Sequence, residues 1–429
     1  MSNLDIIFRS YVVPMILMSS TPIMVYWLTF ININKENTID GDLFGIKTAI
    51  DNWIENFFGS NKSIELISYF GVFQLIIMSL FKGGGKYYGP ITINGNIPVY
   101  KDNGLICYIV SLFTFIVSSF CFNLFSPTII YNNFSDILAS LNVLSVGFCT
   151  FLYLKGRFFP SNNDSGTSGN LIFDFYWGTE LHPNILGINV KQFTNCRIGM
   201  MSWALIIISF SFKQHELYGI SDSMIVSVIL QLIYISKFFM WECGYFNSID
   251  IMYDRAGYYI CWGCLVWVPG FYTLTTLYLV HNPINLGYYY SLMLLITGTS
   301  FIMMNYFADL QRQLVRKTNG KCLVFGKHPL LIEAEYTTEK GDIHKSLLLY
   351  SGFWGLSRHF HYIPELIGSL CWALPSLYNS PIPYLYVIYL TILLVDRAER
   401  DDIKCQNKYG KYWTEYRKQV PYKIIPYIY

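Results

Sequence analysis

The sequence predicts an all-α, polytopic transmembrane protein, and three observations carry that expectation. The 429-residue chain is 53% hydrophobic and only 14% charged, where a soluble protein carries about 25% charged residues. Its apolar residues fall in runs close to the roughly 20 residues that a helix needs to cross a bilayer. Arg, Lys, His, Asp and Tyr instead crowd between the last of those runs, from Gly352 to Tyr362 and from Asp396 to Tyr422. The formal net charge of +2 gives no reason to expect nucleic acid as a partner. Ten scattered cysteines imply small buried residues in a reducing compartment more than a disulfide framework.

Taken in order, residues 1–10 form a short polar tail with no separate regulatory domain. Residues 11–31 are the first span; no small-residue cleavage site follows a short apolar core, so the segment reads as an anchor. Residues 32–63 read as a polar loop and 64–81 as the second span. Lys82-Gly83-Gly84-Gly85-Lys86-Tyr87 comes next. Its glycines invite a phosphate-loop reading, but the spacing is wrong and Tyr87 stands where Ser or Thr would follow the lysine, which leaves a flexible loop. Further spans are expected at 104–125, 137–154, 198–212, 223–241, 257–280 and 287–308. Two more apolar stretches, 347–356 with its continuation and 367–395, flank the charged motifs, and Pro375, Pro381 and Pro383 interrupt the second. The total is about ten crossings.

Polar residues inside or beside the spans carry the chemistry, because an ion near lipid is costly without a partner or a task. Tyr234 and Lys237 are three apart and share a helix face, with Glu242 just beyond. Lys237 either snorkels or pairs with a carboxylate, or the face lines a polar cavity. Arg312 and Arg316 lie four apart after 287–308, with Lys317 and Lys321 behind them. Basic residues beside a span record cytosolic orientation. A second basic group, Arg397, Arg400, Lys404, Lys408 and Lys411, also abuts a span. Two such groups can converge on one multiply charged anion, which the planar guanidinium fork binds well. Trp354, Tyr362 and Tyr409 add flat apolar surface for an aromatic ring, so the combination fits a nucleotide cofactor.

Weaker patterns are set aside. Cys261-Trp262-Gly263-Cys264 has no second pair. His359 and His361 lack an H-E-x-x-H or cysteine context, so no metal site is expected. Asn61-Lys62-Ser63, Asn133-Phe134-Ser135 and Asn163-Asp164-Ser165 match the glycosylation pattern, which matters only in lumenal loops.

Gly352 to Tyr362 and Asp396 to Pro426 resemble the two signature regions of the membrane sterol reductases. That family joins the C14 reductases, the fungal C24(28) reductase and the sterol Δ7 reductases. Four further stretches are similar to the Δ7 branch in particular: Ser126 to Phe134, Lys155 to Pro160, Lys213-Gln214-His215-Glu216-Leu217 and Lys317 to Leu323. The resemblance implies transmembrane helices with a sterol-facing cavity over 11–308 and a membrane-embedded NADPH-binding and catalytic region over 309–429. It implies an NADPH site at Arg312, Arg316, Leu349, Trp354, His361, Tyr362, Arg397, Asp401, Cys405, Lys408 and Tyr409. It also pairs Tyr234 with Asp401 as the proton-delivery couple and sets Glu242 near the sterol end.

The implied reaction is NADPH-dependent reduction of the C7=C8 bond of a 5,7-diene sterol in sterol biosynthesis. An acid protonates the alkene and the nicotinamide delivers hydride to the cation. A buried acid does this only if its surroundings lift its pKa or a phenol relays the proton. The partners implied are the sterol and membrane lipids, with room for association with other sterol-pathway membrane enzymes. Several positions depart from the family pattern: His182, Asn184, Lys237, Trp241, Cys264, His361, Pro364-Glu365 and Asp396. Asp396 puts negative charge beside Arg397, against a phosphate. Trp241 and Cys264 fall where the sterol cavity is shaped. Three alternatives stand beside this reading: a C14 sterol reductase, an isoprenylcysteine-type membrane methyltransferase, and a non-catalytic sterol-binding scaffold. The concentration of Lys and Arg after Ala308 and in the last thirty or so residues sets those faces in the cytosol. The family's expected home is the endoplasmic reticulum membrane, although Pro426-Tyr427-Ile428-Tyr429 is no retention tetrapeptide.

Overall fold

The computed structural model describes residues 8–34, 45–92, 94–337 and 343–429. Most of the expected tail and part of the 32–63 loop lie outside those residues. The chain divides into two compact units, Met1–Thr92 with Asn96–Asn285, and Ile93–Gly95 with Leu286–Tyr429. Among the described residues seven helices are long and apolar enough to cross a membrane, and the protein is a polytopic, mostly helical membrane protein.

The first unit contains helices α1 (Phe8–Ile33), α2 (Ile46–Glu55) and α3 (Asn61–Leu80), then the hairpin β1 (Lys86–Tyr88) and β2 (Val99–Lys101). It continues with α4 (Gly104–Phe120), α5 (Phe134–Phe158), the short hairpin β3 (Asn184–Ile185) and β4 (Ile188–Asn189), and α6 (Gln192–Tyr218), α7 (Asp222–Met240) and α8 (Tyr258–Val280). The starts of these helices are written in the sequence. Ser60 accepts from the Ser63 N–H at 3.2 Å and Ser221 from the Met224 N–H at 3.3 Å, so each supplies an N-cap to an otherwise orphaned donor. At the far end of α3 the Asn103 amide donates to the Met78 and Phe81 carbonyls, at 2.9 and 2.7 Å.

Helices α6 and α8 form the centre of this unit. Of their most apolar windows, 78% and 83% of residues are buried, against 22% for α3, which keeps a broad apolar surface outward as lipid contact requires. The turns Gln192–Gly199 and Gly263–Tyr272 are π-helical, a widened geometry found where a helix is adapted to a local task. Polar ties join the helices: the Trp203 indole donates to Gln231, whose amide donates to Thr276, both at 2.8 Å.

The second unit holds α9 (Tyr288–Lys317), the antiparallel hairpin β5 (Leu331–Thr337) and β6 (Ile343–Leu349), and helices α10 (Tyr362–Ala373), α11 (Leu385–Tyr409) and α12 (Lys411–Gln419). Ile332, Ala334 and Leu348 on the hairpin pack against Tyr409, Trp413, Tyr416 and Val420, so the hairpin covers the last two helices.

Three expectations need correction. The stretch 347–356 is no span: its apolar part is the end of β6, followed by a single 3-10 turn at Gly352–Gly355. The stretch 367–395 is split, because α10 stops at Ala373 ahead of Pro375 and α11 starts only after Pro383; proline removes the amide donor that would continue the ladder. The 32–63 loop contains α2, whose Trp53 stacks on Tyr26 of α1 at 5.9 Å, and its last three residues already belong to α3. The other eight expected spans each coincide with a helix, though α4 is short at 17 residues.

Candidate functional site

In the second unit the first charged signature is set by α9. Gly352 adopts φ +64°, and a Cβ there would run into the Gln311 side chain and Val324, so only glycine fits. The Gln311 carbonyl oxygen accepts the Phe353 N–H at 3.0 Å, which fixes where the chain turns in. Trp354, 3% exposed, donates its indole N–H to the Ala308 carbonyl at 2.7 Å. The Arg312 guanidinium lies 3.9 Å from the Trp354 ring centroid, a cation–π contact, with Asp309 3.4 Å away. Leu349 packs against Trp354 and Val315 in a small buried cluster. Next come three rings in contact: His361 is 5.0 Å from Trp354 and 4.3 Å from Tyr362, and His359 stacks on Tyr362 at 5.1 Å. The Asn305 amide holds the His361 carbonyl at 2.8 Å.

The second signature rides on α11. Its first half is apolar; from Asp396 on it is charged. Asp401 Oδ2 lies 3.7 Å from His359 Nε2, and the Cys405 thiol donates to the same oxygen at 3.8 Å. Burial pushes the Asp401 carboxyl above its ordinary pKa, against the pull of Arg312 and Lys404. Burial, helped by the nearby charges of His361, Arg312 and Arg358, pushes His359 well below its ordinary value, which keeps the imidazole neutral. A carboxyl inclined to hold its proton next to a neutral imidazole is an arrangement suited to proton donation. Arg397 precedes Asp401 by one helical turn, on the same face.

At the end of α11, the Lys408 ammonium lies 4.0 Å from the Tyr336 ring centroid and 5.3 Å from that of Tyr409, whose hydroxyl donates to Ser346 at 3.4 Å. Gly410, at φ +52°, breaks the helix and turns the chain into α12. Among the described residues no carboxylate lies within ion-pair distance of Arg316 or Lys408. Several neighbouring charges are committed. Asp402 receives the Trp413 indole N–H at 3.1 Å and faces Arg358 at 3.5 Å and Arg417 at 3.8 Å. Arg358 donates to the Val420 and Pro421 carbonyls, at 2.8 and 2.9 Å, and so fastens the C-terminal segment. Asp396 pairs with Arg400 at 2.9 Å, one turn along.

The structure thus brings Arg312, Leu349, Trp354, His361, Tyr362, Asp401, Cys405, Lys408 and Tyr409 into one region of the second unit, with Arg316 and Arg397 on the same two helices. It also explains the departure at Asp396, whose carboxylate faces Arg400.

Tyr234 and Glu242 belong to the first unit. The Lys237 ammonium sits 4.8 Å from the Tyr234 ring, so the two do share a face, and Trp203 packs 5.7 Å from the same ring. Glu242 is buried. Both its carboxylate oxygens accept from Arg197, one of them at 3.1 Å, and Arg197 also donates to Asn103 at 2.8 Å. A Cβ on Gly104 would collide with that carboxylate. Cys264 is buried and its sulfur accepts from the Asn195 amide at 3.2 Å; all ten cysteines are free.

Sequence reasoning missed Gln311, Asn305 and Arg197. The first two are ordinary amides on a long helix and give no signal of their own. Arg197 did give one: an arginine one residue before an apolar span needs a buried carboxylate, and Glu242 was the available partner.

The family model described as "Ergosterol biosynthesis ERG4/ERG24 family" matches residues 11–429. The 7-dehydrocholesterol reductase of Arabidopsis thaliana is 50% identical over 367 residues, 85% of this chain and 84% of that protein. The 7-dehydrocholesterol reductase of Danio rerio is 41% identical over 349 residues, 81% and 73% of the two chains. The Delta(14)-sterol reductase of Methylotuvimicrobium alcaliphilum is 33% identical over 331 residues, 77% and 75%.

Proposed function

From the premise that the chain belongs to the ERG4/ERG24 sterol reductase family and is a membrane oxidoreductase of sterol biosynthesis, we propose that it reduces the C7=C8 bond of a 5,7-diene sterol with NADPH. The observation that carries this reading is the cluster in the second unit, where cations beside stacked rings adjoin a carboxyl that burial inclines to stay protonated. The donor set fits the cofactor: Arg312, Arg316, Arg397 and Lys408 for phosphates, Trp354, Tyr362 and Tyr409 for flat rings, with Leu349, His361 and Cys405 completing the wall. When bound, NADPH supplies the hydride.

The chain's own residues supply the proton and the position. Asp401 holds a proton above the usual carboxylate range and gives it to an alkene carbon, leaving an allylic cation in a 5,7-diene. Neutral His359, 3.7 Å from the carboxyl, adds no charge beside it. The resemblance adds Tyr234 as a proton relay and Glu242 at the sterol end, roles that Tyr234→Phe and Glu242→Gln would probe one at a time. The endoplasmic reticulum membrane, with the cofactor site facing the cytosol, completes the reading.

Expression in yeast that accumulates 5,7-diene sterols, followed by sterol extraction, is the test. Loss of the diene absorbance with a product heavier by two hydrogens supports the proposal. A diene left untouched while a Δ14 sterol is consumed shifts the assignment to the reaction in the name of the 33%-identical relative. Asp401→Asn is expected to lower turnover by about 10²–10⁴, the usual range for a general acid; full activity in that variant removes Asp401 from the mechanism.

A further inference from the structure

We propose that Lys423 is a positioning residue for the reduction: it ties the main chain at His359 to helix α11 and so sets how His359 approaches Asp401. The inference rests on the reading of Asp401 as the acid and adds the residue that places its neighbour. His359 needs such a tie. It lies between the 3-10 turn Gly352–Gly355 and the start of α10, so no helix or strand of its own holds it. Asp401 is carried on α11, with its Oδ2 3.7 Å from His359 Nε2.

Residues 420–429 join the two signatures. The Arg358 N–H donates to the Tyr422 carbonyl at 3.0 Å and the His359 N–H to the Lys423 carbonyl at 2.9 Å, two successive bonds that fix the register. The Ser357 hydroxyl donates to the Ile424 carbonyl at 2.6 Å. Ser357, Arg358 and His359 are all buried, where an unmade hydrogen bond is costly. Lys423 completes the tie. Its carbonyl holds His359, while its ammonium is paired with Glu399, two residues before Asp401 on α11. The Tyr429 hydroxyl donates to the same Glu399 oxygen at 2.6 Å, and its ring centroid lies 5.2 Å from the ammonium. The main-chain oxygen of Tyr429 accepts from the N–H groups of Lys423, Ile424 and Ile425, at 2.9, 2.8 and 2.9 Å, and closes the loop around the lysine. An exposed ion pair alone contributes little. Here one partner is 15% exposed and the loop already holds its main chain, so the pair acts on a fixed frame.

The charge of Lys423 acts in the same direction as its geometry. With Arg312 on α9, and Arg358 and His361 beside it in the chain, Lys423 opposes protonation of the His359 imidazole. Asp401 faces that ring from α11 and Tyr362 stacks on it. A neutral imidazole lets Asp401 keep its proton, whereas an imidazolium so close would favour the ionised carboxylate.

The test compares Lys423→Met, which keeps the unbranched stem and loses the charge, with Lys423→Arg, both in the full chain. Lys423→Met should lower kcat by about 10- to 100-fold, the scale of a misplaced group, with the KM for NADPH unchanged. Lys423→Arg should recover most of that loss. The second readout needs neither sterol nor NADPH: nitrogen-15 NMR of the His359 ring in histidine-labelled protein in lipid, assigned by its loss in His359→Gln. In Lys423→Met the ring signals should shift and the imidazolium should appear at a higher pH than in the parent, while Lys423→Arg should match the parent. Signals and titration that are the same in Lys423→Met and the parent overturn the proposal, and so does a kcat that does not change. If Lys423→Met fails to fold, Glu399→Gln removes the anchor and leaves the lysine; unmoved ring signals there overturn the proposal equally. Moved ring signals in an enzyme whose Asp401→Asn variant keeps full activity support the tie and remove only the acid reading.

Discussion

The two units settle charge in opposite ways. In the first, Arg197 and Glu242 neutralise one another in a forked pair, and Asn103 takes up a further guanidinium N–H. In the second, Arg312 lies on an indole, Lys408 on a phenol ring, and Arg316 has no carboxylate in reach among the described residues. A satisfied pair holds helices together; a gathering of cations set on rings suits the anionic cofactor proposed above. Removing one partner of a buried pair costs about 3–5 kcal/mol because the other charge stays behind. Arg197→Ala is therefore expected to lower the melting temperature and the folded yield sharply, measured by fluorescence-detected size exclusion after heating. A variant that melts like the parent would break the contrast.

The cationic side of the comparison predicts the reverse pattern. Arg316 and Lys408 are exposed along much of their length, so alanine there should leave the melting temperature almost unchanged. Charge-assisted hydrogen bonds to phosphate are worth about 1.5–3 kcal/mol each. Each variant should raise the KM for NADPH by about 10- to 100-fold while sterol binding is retained. Loss of thermal stability with an unchanged KM would make these cations structural, like Arg197.

That contrast also separates what the sequence made legible from what it hid. Helix length and apolarity are local properties, so eight expected spans coincide with helices. Errors fell where a short apolar run had to be judged without its partner: Leu347, Leu348 and Leu349 look like the start of a span until β5 is set beside them. Prolines 375 and 383 announced a broken helix but not where each half would end. In the proposed site, residue types pointed to a chemistry, since arginines beside aromatic residues fit a nucleotide cofactor. Pairings across the fold were illegible. Nothing in the spacing says that His359 faces Asp401, that Asp402 serves Arg358, Arg417 and Trp413, or that Gln311 pins Gly352.

Protonation offers a finer test of the cationic region. In the proposed mechanism Asp401 serves as the acid only while it holds its proton, and its pKa lies above the ordinary value of about 3.9. The sign follows directly: below the raised pKa the acid is loaded and the rate is flat, and as pH rises through it the acid form is lost and kcat/KM falls. A rate profile taken from the ordinary carboxylate range upward should show this falling limb. Arg312 lowers the Asp401 pKa, so Arg312→Gln should move the limb to higher pH as well as weaken cofactor binding. A rate that climbs with pH over the same range would mean that Asp401 works as a base or not at all.

The smallest expected effect concerns Asp396, which separates an internal pair from a ligand site within one helix. Its carboxylate faces Arg400 at 2.9 Å, in the favourable order of acid before base at four residues' spacing, and its side chain is 62% exposed. Such pairs contribute about 0.3–0.5 kcal/mol. Asp396→Asn should thus change stability barely and alter the KM for NADPH by no more than about twofold. If the KM instead falls severalfold, Asp396 has been opposing a phosphate held by Arg397, and the boundary between the committed charges of α11 and those awaiting the cofactor lies one turn earlier than the ion pairs indicate.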